Sequence, residues 1–275
     1  MRRKPAAMAG KAVALLLIAA WSLGPIALVV LSSVRPDREI FDPSQTSFTL
    51  TADNYVRLVR EWGVFFRGMS NSAIVTVGAT VLATVASALA GYAYSRRRTA
   101  GMATSIAGLV FLRLIPPIVL TLPLFPIINW LRLSDTHLVL ILLYAAFFVS
   151  LGSVVMRTFM DQVPRELDEA AVVDGARLPQ ILLWVIAPVA APGMVAVAIF
   201  VAVYAWNEYL FAFIFTANRA KTAPLVLAEM AGSIDGVEWG VLFAATTLHL
   251  IPVLAFVLIS QRRLVEGLAA GSTKG

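Results

Sequence analysis

Residues 136–156 read THLVLILLYAAFFVSLGSVVM. No acidic residue, lysine or arginine interrupts this run, and its histidine, His137, is expected to be neutral. A helix needs about 20 consecutive apolar residues to cross the hydrocarbon core of a bilayer. A barrel strand would instead alternate apolar and polar residues, which this run does not do. We therefore predict that the run is a membrane-spanning helix.

Five further apolar runs lie along the chain, and together the six predict an all-α membrane protein with one transmembrane domain, residues 1–275. The predicted spans are about 12–34, 69–95, 102–130, 136–156, 183–206 and 239–260. The fifth apolar run as a whole, residues 178–215, is too long for one crossing and too short for two. We therefore expect the fifth helix to break near Asn207 and Glu208.

Composition supports a membrane protein and excludes several kinds of chemistry. Hydrophobic residues make up 59% of the 275 residues and charged residues 14%, with a mean hydropathy of +0.83. A soluble domain has about half apolar and about a quarter charged residues, so the bilayer is the natural solvent for this chain. The absence of cysteine excludes disulfides and thiolate chemistry. Two histidines far apart in sequence predict no metal site.

The basic residues are interpreted as signals of membrane orientation. A net charge of +6 raises the question of nucleic acid, but most Lys and Arg residues lie at the ends of apolar runs. Such residues are enriched on the cytoplasmic side of membrane proteins. Placing both termini in the cytoplasm puts 13 of the 22 Lys and Arg residues there and 8 outside, with Arg113 inside a run. We predict cytoplasmic termini and no nucleic-acid partner.

Three polar segments connect the spans, at residues 35–67, 157–181 and 216–238. The first is predicted to contain a short helix from Asn54 to Phe66. The second lies on the cytoplasmic side in this orientation, and it contains the most informative local pattern in the chain.

Residues 161–180 read DQVPRELDEAAVVDGARLPQ, which predicts a short helix, a sharp turn and the start of a second helix. Pro164 suits a first helical position, and three acidic residues follow where the helix dipole favours negative charge. Gly175 suits a left-handed stop, and Pro179 suits the first turn of the next helix. A short cytoplasmic helix carrying two small residues, Ala170 and Ala171, is shaped to be gripped by another protein.

This segment resembles the EAA loop of binding-protein-dependent ABC import permeases. The residues at the family spacing, with the aspartate typical of its sugar branch, are Glu169, Ala170, Ala171, Asp174, Gly175 and Pro188. The chain departs from the family pattern at Val185, where isoleucine is usual, and at Ala187, where leucine is usual. Both changes replace one apolar residue by another.

Weaker matches extend the resemblance over most of the chain. They are Asn71-Ser72, Ala191-Pro192-Gly193, Trp206-Asn207-Glu208 and the ending Gln261-Arg262-Arg263-Leu264. Together they are similar to the maltose-type second permease subunit within the carbohydrate branch.

The resemblance implies a type I ABC importer permease fold in a bacterial inner (plasma) membrane, with the EAA helix as the coupling helix. It implies that Glu169, Ala170, Ala171, Asp174 and Gly175 contact the ATPase. The implied partners are two ATP-binding cassette ATPase subunits, a second related permease, an extracytoplasmic solute-binding protein and membrane lipid. ATP and Mg would be bound by the ATPases, so no cofactor and no enzymatic activity are expected in this chain, which contains no Gly-x-x-x-x-Gly-Lys-Ser/Thr motif.

Four polar residues in or near the spans are candidates for a translocation path, because such residues usually face a cavity or a partner. They are Arg113, Asn129, Asn207 and Glu208. Arg113 has two open interpretations, lining a cavity or pairing with an acid of the sister permease. For Asn207 and Glu208, solute contact stands beside a role in a helix bend or an interface.

Other function classes are weighed against this one. A secondary transporter is compatible with six spans but gives no reason for the EAA helix. An intramembrane enzyme would need a catalytic motif that the sequence lacks. A permease for another solute, such as glycerol phosphate, is a further alternative, and the sequence does not name the sugar.

Overall fold

The computed structural model describes residues 5–41, 49–97, 99–233 and 236–272, and all regular structure within these ranges is helical. In chain order the helices are α1 Pro5–Ser33, α2 Asp37–Ile40, α3 Asp53–Glu61, α4 Gly63–Arg96, α5 Ala100–Leu112, α6 Pro117–Trp130, α7 His137–Met160, α8 Glu166–Val173, α9 Leu178–Gln180, a π-helix Ile181–Ile186, α10 Ala187–Asn207, α11 Leu210–Phe215, α12 Ala223–Ala231 and α13 Trp239–Ser272.

Five helical stretches among the described residues are long and apolar enough to cross a membrane. They are Lys11–Ser33, Gly63–Arg96, His137–Met160, Leu178–Asn207 and Trp239–Leu258. A sixth candidate is the pair α5 and α6 taken together. These stretches coincide with the six apolar runs of the sequence.

The third run is bent where the sequence suggested one span over 102–130. Its two helices, α5 and α6, meet at an angle of 97°. Pro116 is extended (φ −57°, ψ 133°), and Pro117 begins α6. A proline disfavours helical backbone in the residue before it and itself suits a first helical position, so the Pro116-Pro117 pair ends one helix and starts another.

Two compact units contain the described residues. The first lies within residues 1–66 and 226–251, and the second within 67–225 and 252–275. In the first unit, the Asn54 side-chain amide donates to the backbone carbonyls of Ser33 and Arg35 at 2.9 and 2.8 Å. Its short helix α3 ends at Glu61, and a new helix, α4, begins at Gly63. The predicted helix from Asn54 to Phe66 is therefore wrong in its end point, because the backbone turns at Trp62 (φ −116°, ψ 42°).

In the second unit, α4 and α7 run parallel. Asn71 contacts His137 near the start of both helices, and Ser95 contacts Asp161 near their ends, each pair 66 residues apart in sequence. A Cβ atom built on Gly91 would lie 2.8 Å from the backbone nitrogen of Arg157, so only glycine fits this approach. Because both helices run in the same direction, the chain between them, which contains α5 and α6, has to return from one end of the pair to the other.

The next long helix, α10, runs antiparallel to α7. Gly152 of α7 faces Val197, and Gly193 of α10 faces Phe159. Between these helices lies a buried core that includes Tyr144, a fully buried side chain. The helix α10 ends at Asn207, and the extended residue Glu208 separates it from α11, as the length of the fifth run predicted.

Candidate functional site

The helix α8 lies in the polar segment, residues 157–181, that the sequence singled out. It spans eight residues, Glu166–Val173, with three acidic residues in its first turn. Negative side chains at this end interact favourably with the helix dipole. The helix begins two residues after Pro164, because Pro164 and Arg165 form a turn that accepts the first N–H groups.

The end of α8 is a Schellman turn centred on Gly175. The N–H of Gly175 donates to the Val172 carbonyl at 3.0 Å, and the N–H of Ala176 donates to the Ala171 carbonyl at 2.9 Å. Gly175 has φ +81°, which only glycine adopts without strain. The predicted left-handed stop is confirmed, and Pro179 lies in the first turn of α9 as predicted.

The two faces of α8 differ. Asp168 and Ala171 face the chain itself, and Ala171 belongs to the buried core. Glu169 and Ala170 are exposed on the other face, and Val173 is 86% exposed. Of the two alanines that the sequence suggested for contact with a partner, only Ala170 is accessible.

A cluster of polar contacts, which we call the α4–α8 anchor, joins the end of α4 to residues 160–168. The Arg96 Nε atom lies 2.7 Å from Asp168 Oδ2 in an ion pair whose side chains are only 13% and 16% exposed. The Tyr92 hydroxyl donates to Asp168 Oδ1 at 3.0 Å, and the Ser95 hydroxyl donates to Asp161 Oδ1 at 2.7 Å. The anchor fixes the base of α8 while leaving its outer face free.

Sequence reasoning missed the anchor. In the sequence, Arg96 indicates only membrane orientation, and Asp168 is only one of three acids near a helix start. A basic residue at the end of one span and an acid in the next cytoplasmic segment could have suggested a pair. Their separation of 72 residues in the chain, however, gives no register from which to select the partners.

Further along the second unit, an aromatic cleft of about 360 Å³ lies around the break between α10 and α11. Its lining residues are Pro117, Tyr144, Phe147, Phe148, Tyr204, Asn207, Glu208, Tyr209, Leu210 and Phe211. Two of the four predicted path residues, Asn207 and Glu208, therefore lie in the same cleft. The cleft combines ring faces with a few polar groups, as ligand sites usually do.

Both of these polar residues also serve the local backbone. The Glu208 carboxylate accepts the N–H of Phe211 at 3.0 Å, at the start of α11. The Asn207 amide donates to the Val203 carbonyl one turn earlier at 2.7 Å. The helix-bend role weighed for them from the sequence is thus present in the structure, together with exposure to the cleft.

The other two predicted path residues, Arg113 and Asn129, do not line the cleft among the described residues. The Arg113 guanidinium carbon lies 4.8 Å from the centre of the Phe147 ring, a cation–π distance, so Arg113 backs one wall of the cleft. Its Nη1 atom is buried without a hydrogen-bond partner. Asn129 Oδ1 instead accepts a hydrogen bond from the Ser134 hydroxyl, and it is not among the described residues that line the cleft.

At the other end of α4 and α7, the 216–222 loop is held by Asp135. The carboxylate accepts four consecutive backbone N–H groups, those of residues 217–220, at 3.0 to 3.2 Å. Burial alone would raise the pKa of Asp135, but these four donors outweigh it and lower the pKa below its ordinary value. A charged Asp135 therefore stabilises the loop.

Residues at the starts of α4 and α7 complete this end. The Asn71 amide donates to the carbonyls of Arg219 and Lys221 at 2.9 and 2.8 Å, and its Oδ1 atom lies 2.7 Å from His137 Nε2. The Ser72 hydroxyl accepts the N–H of Ala223. The Asn71-Ser72 pair, noted in the sequence only as a family likeness, thus has a structural role.

The fold and this arrangement define a helical membrane subunit with a short anchored helix between its fourth and fifth apolar runs. The family model of binding-protein-dependent transport system inner membrane components matches residues 83–269. The chain belongs to this family.

Several relatives match nearly the whole chain. The trehalose transport system permease protein SugB of Mycobacterium tuberculosis is 36% identical over 94% of this chain and 95% of its own length. The trehalose/maltose transport system permease protein MalG of Thermococcus litoralis is 31% identical over 94% of each chain.

One solved structure is similar in fold. It is a chain of a bacterial ABC transporter involved in the import of the acidic polysaccharide alginate. The match has a TM-score of 0.78 and covers 95% of this chain and 98% of the other, at 22% identity. The likeness confirms the expected ABC importer permease fold.

Proposed function

We propose that this chain is the transmembrane permease subunit of an ABC importer that moves a sugar or sugar-like solute into the cytoplasm. The solute would come from an extracytoplasmic solute-binding protein. The observation that supports this most is the set of full-length relatives, which are named as permeases for trehalose and for trehalose or maltose. A relative 29% identical over 91% of each chain is named as a diacetylchitobiose permease, also a sugar system.

The chemistry of energy supply would belong to partner chains. Two ATP-binding cassette subunits would bind ATP and Mg and hydrolyse the ATP, and a second related permease would complete the pathway. Closure of the ATPases would pull the permeases between inward-open and outward-open arrangements by rigid-body motion. Differential binding of ATP to the two arrangements would supply the free energy.

In this proposal α8 is the coupling helix. Glu169 and Ala170 lie on its exposed face, where a groove of an ATPase could receive them, and Val173 adds exposed apolar surface. Asp174 and Gly175 act by ending the helix at a fixed angle. Ala171, which is buried, would position the helix against the core instead of touching the ATPase.

The aromatic cleft is the proposed contribution of this subunit to the translocation path. Ring faces such as that of Tyr204 can stack on the apolar face of a sugar, while Asn207 and Glu208 offer hydrogen bonds to its hydroxyl groups. Arg113 would support the cleft from behind Phe147, where its guanidinium holds the ring that lines the cleft. Asn129, hydrogen-bonded to Ser134, would contribute to the translocation path indirectly, by fixing the turn that follows α6.

We propose that both termini are cytoplasmic, which puts α8 inside and the 216–222 loop outside. Reporter fusions after Pro179 should then give a cytoplasmic signal, and a fusion after Asn218 should give an external one. The opposite pair of signals would reverse the proposed orientation.

Uptake by the reconstituted complex tests the function as a whole. The chain, purified with its partner subunits and placed in vesicles, should import labelled trehalose or maltose when ATP and the binding protein are present. A proton or sodium gradient without ATP should drive no uptake. Glycerol phosphate serves as the competing solute, and its import in place of the sugars would replace the proposed substrate class.

A further inference from the structure

We propose that the α4–α8 anchor is a rigid joint through which movement of α8 is delivered to α4, with Arg96 and Asp168 as its positioning residues. The inference rests on the proposed function, because it assumes that α8 is the coupling helix. Neither residue is required to touch the ATPase, the nucleotide or the solute.

The Arg96 guanidinium contacts three groups of the 160–168 segment at the same time. Its Nε atom pairs with Asp168, its Nη1 atom donates to the Met160 carbonyl, and its Nη2 atom donates to the Val163 carbonyl, the last two at 3.2 Å. The guanidinium is planar and its donors are fixed relative to one another. Three contacts from one such group restrict rotation as well as separation of the two elements.

Both oxygens of Asp168 are used by α4. Oδ2 lies 2.7 Å from Arg96 Nε in an ion pair that lacks hydrogen-bond geometry, and Oδ1 accepts a hydrogen bond from the Tyr92 hydroxyl at 3.0 Å. Tyr92 and Arg96 are four residues apart and so lie on one face of α4. A carboxylate held at both oxygens by adjacent turns cannot swing away without losing both contacts.

The segment also binds back to α4. Arg165 donates to the Ser95 carbonyl at 3.2 Å, and the Ser95 hydroxyl donates to Asp161 Oδ1 at 2.7 Å. The last carbonyls of a helix have no partner within it, so Arg165 satisfies a group that would otherwise need water. Donors and acceptors on both sides make the joint resistant to pulling in either direction.

The helices α4 and α7 pack closely beside the anchor. At Gly91, one residue before Tyr92 of the anchor, the backbone of α4 approaches that of α7 so closely that a Cβ atom would clash with Arg157. The helix that leads into the α8 segment is therefore packed backbone to backbone against α4 beside the anchor. A force applied to α8 is passed to the end of α4 instead of being absorbed between them.

The test compares transport with ATP consumption in the reconstituted complex for Asp168→Asn, which removes one charge of the pair. The matched control is Glu166→Gln, which removes an exposed acid from the same helix. We expect Asp168→Asn to hydrolyse ATP within about twofold of the parent but to import about tenfold less solute per ATP, since the unpaired Arg96 charge stays largely buried. Glu166→Gln should keep the parental ratio within about twofold.

A conservative variant separates positioning from mere folding. Asp168→Glu keeps the carboxylate and leaves every Arg96 contact to a backbone carbonyl in place, so it should recover several times more solute per ATP than Asp168→Asn. An Asp168→Glu variant no better than Asp168→Asn would overturn the proposal. So would an Asp168→Asn complex whose import and recovery after purification fall together, because the anchor would then serve folding alone.

A failure to find ATP-driven uptake would contradict the proposed function. A distance measurement tests the rigid joint independently of that outcome. The chain has no cysteine, so spin labels can be placed at Arg97→Cys and Glu166→Cys, both exposed and both outside the proposed docking residues Glu169 and Ala170. A rigid joint predicts one narrow distance distribution that stays unchanged when ATP is trapped in the complex. It also predicts broadening by Asp168→Asn in the chain alone. A parental distance that shifts on ATP trapping, or an Asp168→Asn distribution as narrow as the parent's, would contradict the joint.

Discussion

Two short segments of the second unit are each held by one carboxylate, and they are held in different ways. Asp168 holds α8 through the side chains of Tyr92 and Arg96. Asp135 holds the 216–222 loop through four backbone N–H groups. The first arrangement ties one helix to another, whereas the second fixes the shape of a loop. Both partners of a contact between side chains can be changed by mutation. The backbone N–H groups of the loop cannot be changed in this way, and few side chains other than aspartate can accept four of them at position 135.

The helix α4 connects the two regions. Asn71 binds the 216–222 loop at one end, and Arg96 binds the α8 segment at the other. These residues are 25 positions apart, or roughly 37 Å along an α-helix, which is more than the thickness of the hydrocarbon core. One continuous helix, long enough to cross the hydrocarbon core, therefore contacts both segments.

The largest effect is expected from Gly175→Leu, which disturbs the α8 region only. A Cβ atom at a positive φ costs about 1–2 kcal/mol, and relief of that strain would re-aim the end of α8. Uptake should be abolished while membrane insertion stays intact, as measured by transport and by recovery of the chain from membranes. Gly175→Asn, which tolerates the left-handed conformation better, should retain part of the uptake. Normal transport by Gly175→Leu together with normal ATPase binding would show that the end of α8 is not critical.

The next largest effect is expected from a comparison of Glu169 and Glu166, the two acids of α8 that are not part of the anchor. Glu169→Lys should uncouple ATP hydrolysis from transport, because Glu169 lies beside Ala170 on the exposed face proposed to meet the ATPase. Glu166→Lys should be much milder, since loss of a favourable helix-dipole interaction costs only about 0.3–1 kcal/mol. Solute-stimulated ATP hydrolysis in lipid measures both. Equal effects of the two substitutions would mean that Glu169 acts only through the helix dipole. A larger effect of Glu166→Lys would mean that the ATPase docks on the side of α8 that carries Glu166.

A smaller effect is expected at Asp135, and it concerns stability instead of coupling. Asp135→Ala removes the acceptor of four N–H groups, but the site is partly open to water, so the cost should be on the order of 1 kcal/mol. Thermal unfolding in detergent measures this loss. Asp135→Asn keeps one carbonyl acceptor and should lose less. A variant with alanine as stable as the parent would mean that water replaces the carboxylate.

The smallest effect is the pH dependence of the same contact. The folded pKa of Asp135 is lowered, so its stabilisation is fully present above the unfolded pKa of about 3.9. It is lost as the pH falls through the still lower folded pKa. The difference in unfolding temperature between the parent and Asp135→Asn should be constant from about pH 7 to pH 5 and shrink below about pH 4. A difference that grows on acidification would contradict the assigned direction.

The sequence predicted the features that depend on local patterns. The apolar runs located the long helices, and Gly175 predicted the left-handed end of α8, whose start lies two residues after Pro164. The bend between α5 and α6 was missed because Pro116-Pro117 sits inside a continuous apolar run, where hydropathy outweighs backbone geometry. Prolines in membrane helices are often tolerated, so their presence alone did not require a break.

The tertiary contacts could not be predicted in the same way. No sequence pattern pairs His137 with Asn71, yet the two are in contact, and Asn71 also binds the carbonyls of Arg219 and Lys221. Such contacts join residues 66 to 150 positions apart. They depend on which helices lie side by side, and the hydropathy of each run carries no such information.

The most direct test of the central claim is protection of Ala170 by the ATPase. Because the chain has no cysteine, Ala170→Cys is the sole target for a maleimide, and Asn218→Cys in the 216–222 loop is the matched control. We predict that the cysteine at position 170 reacts readily in the permease alone and about tenfold more slowly once the ATPase subunits are bound, as for a residue at the core of an interface. The cysteine at position 218 should react at the same rate in both states. Equal reactivity at position 170 with and without bound ATPase would contradict the claim that the exposed face of α8 is where the ATPase docks.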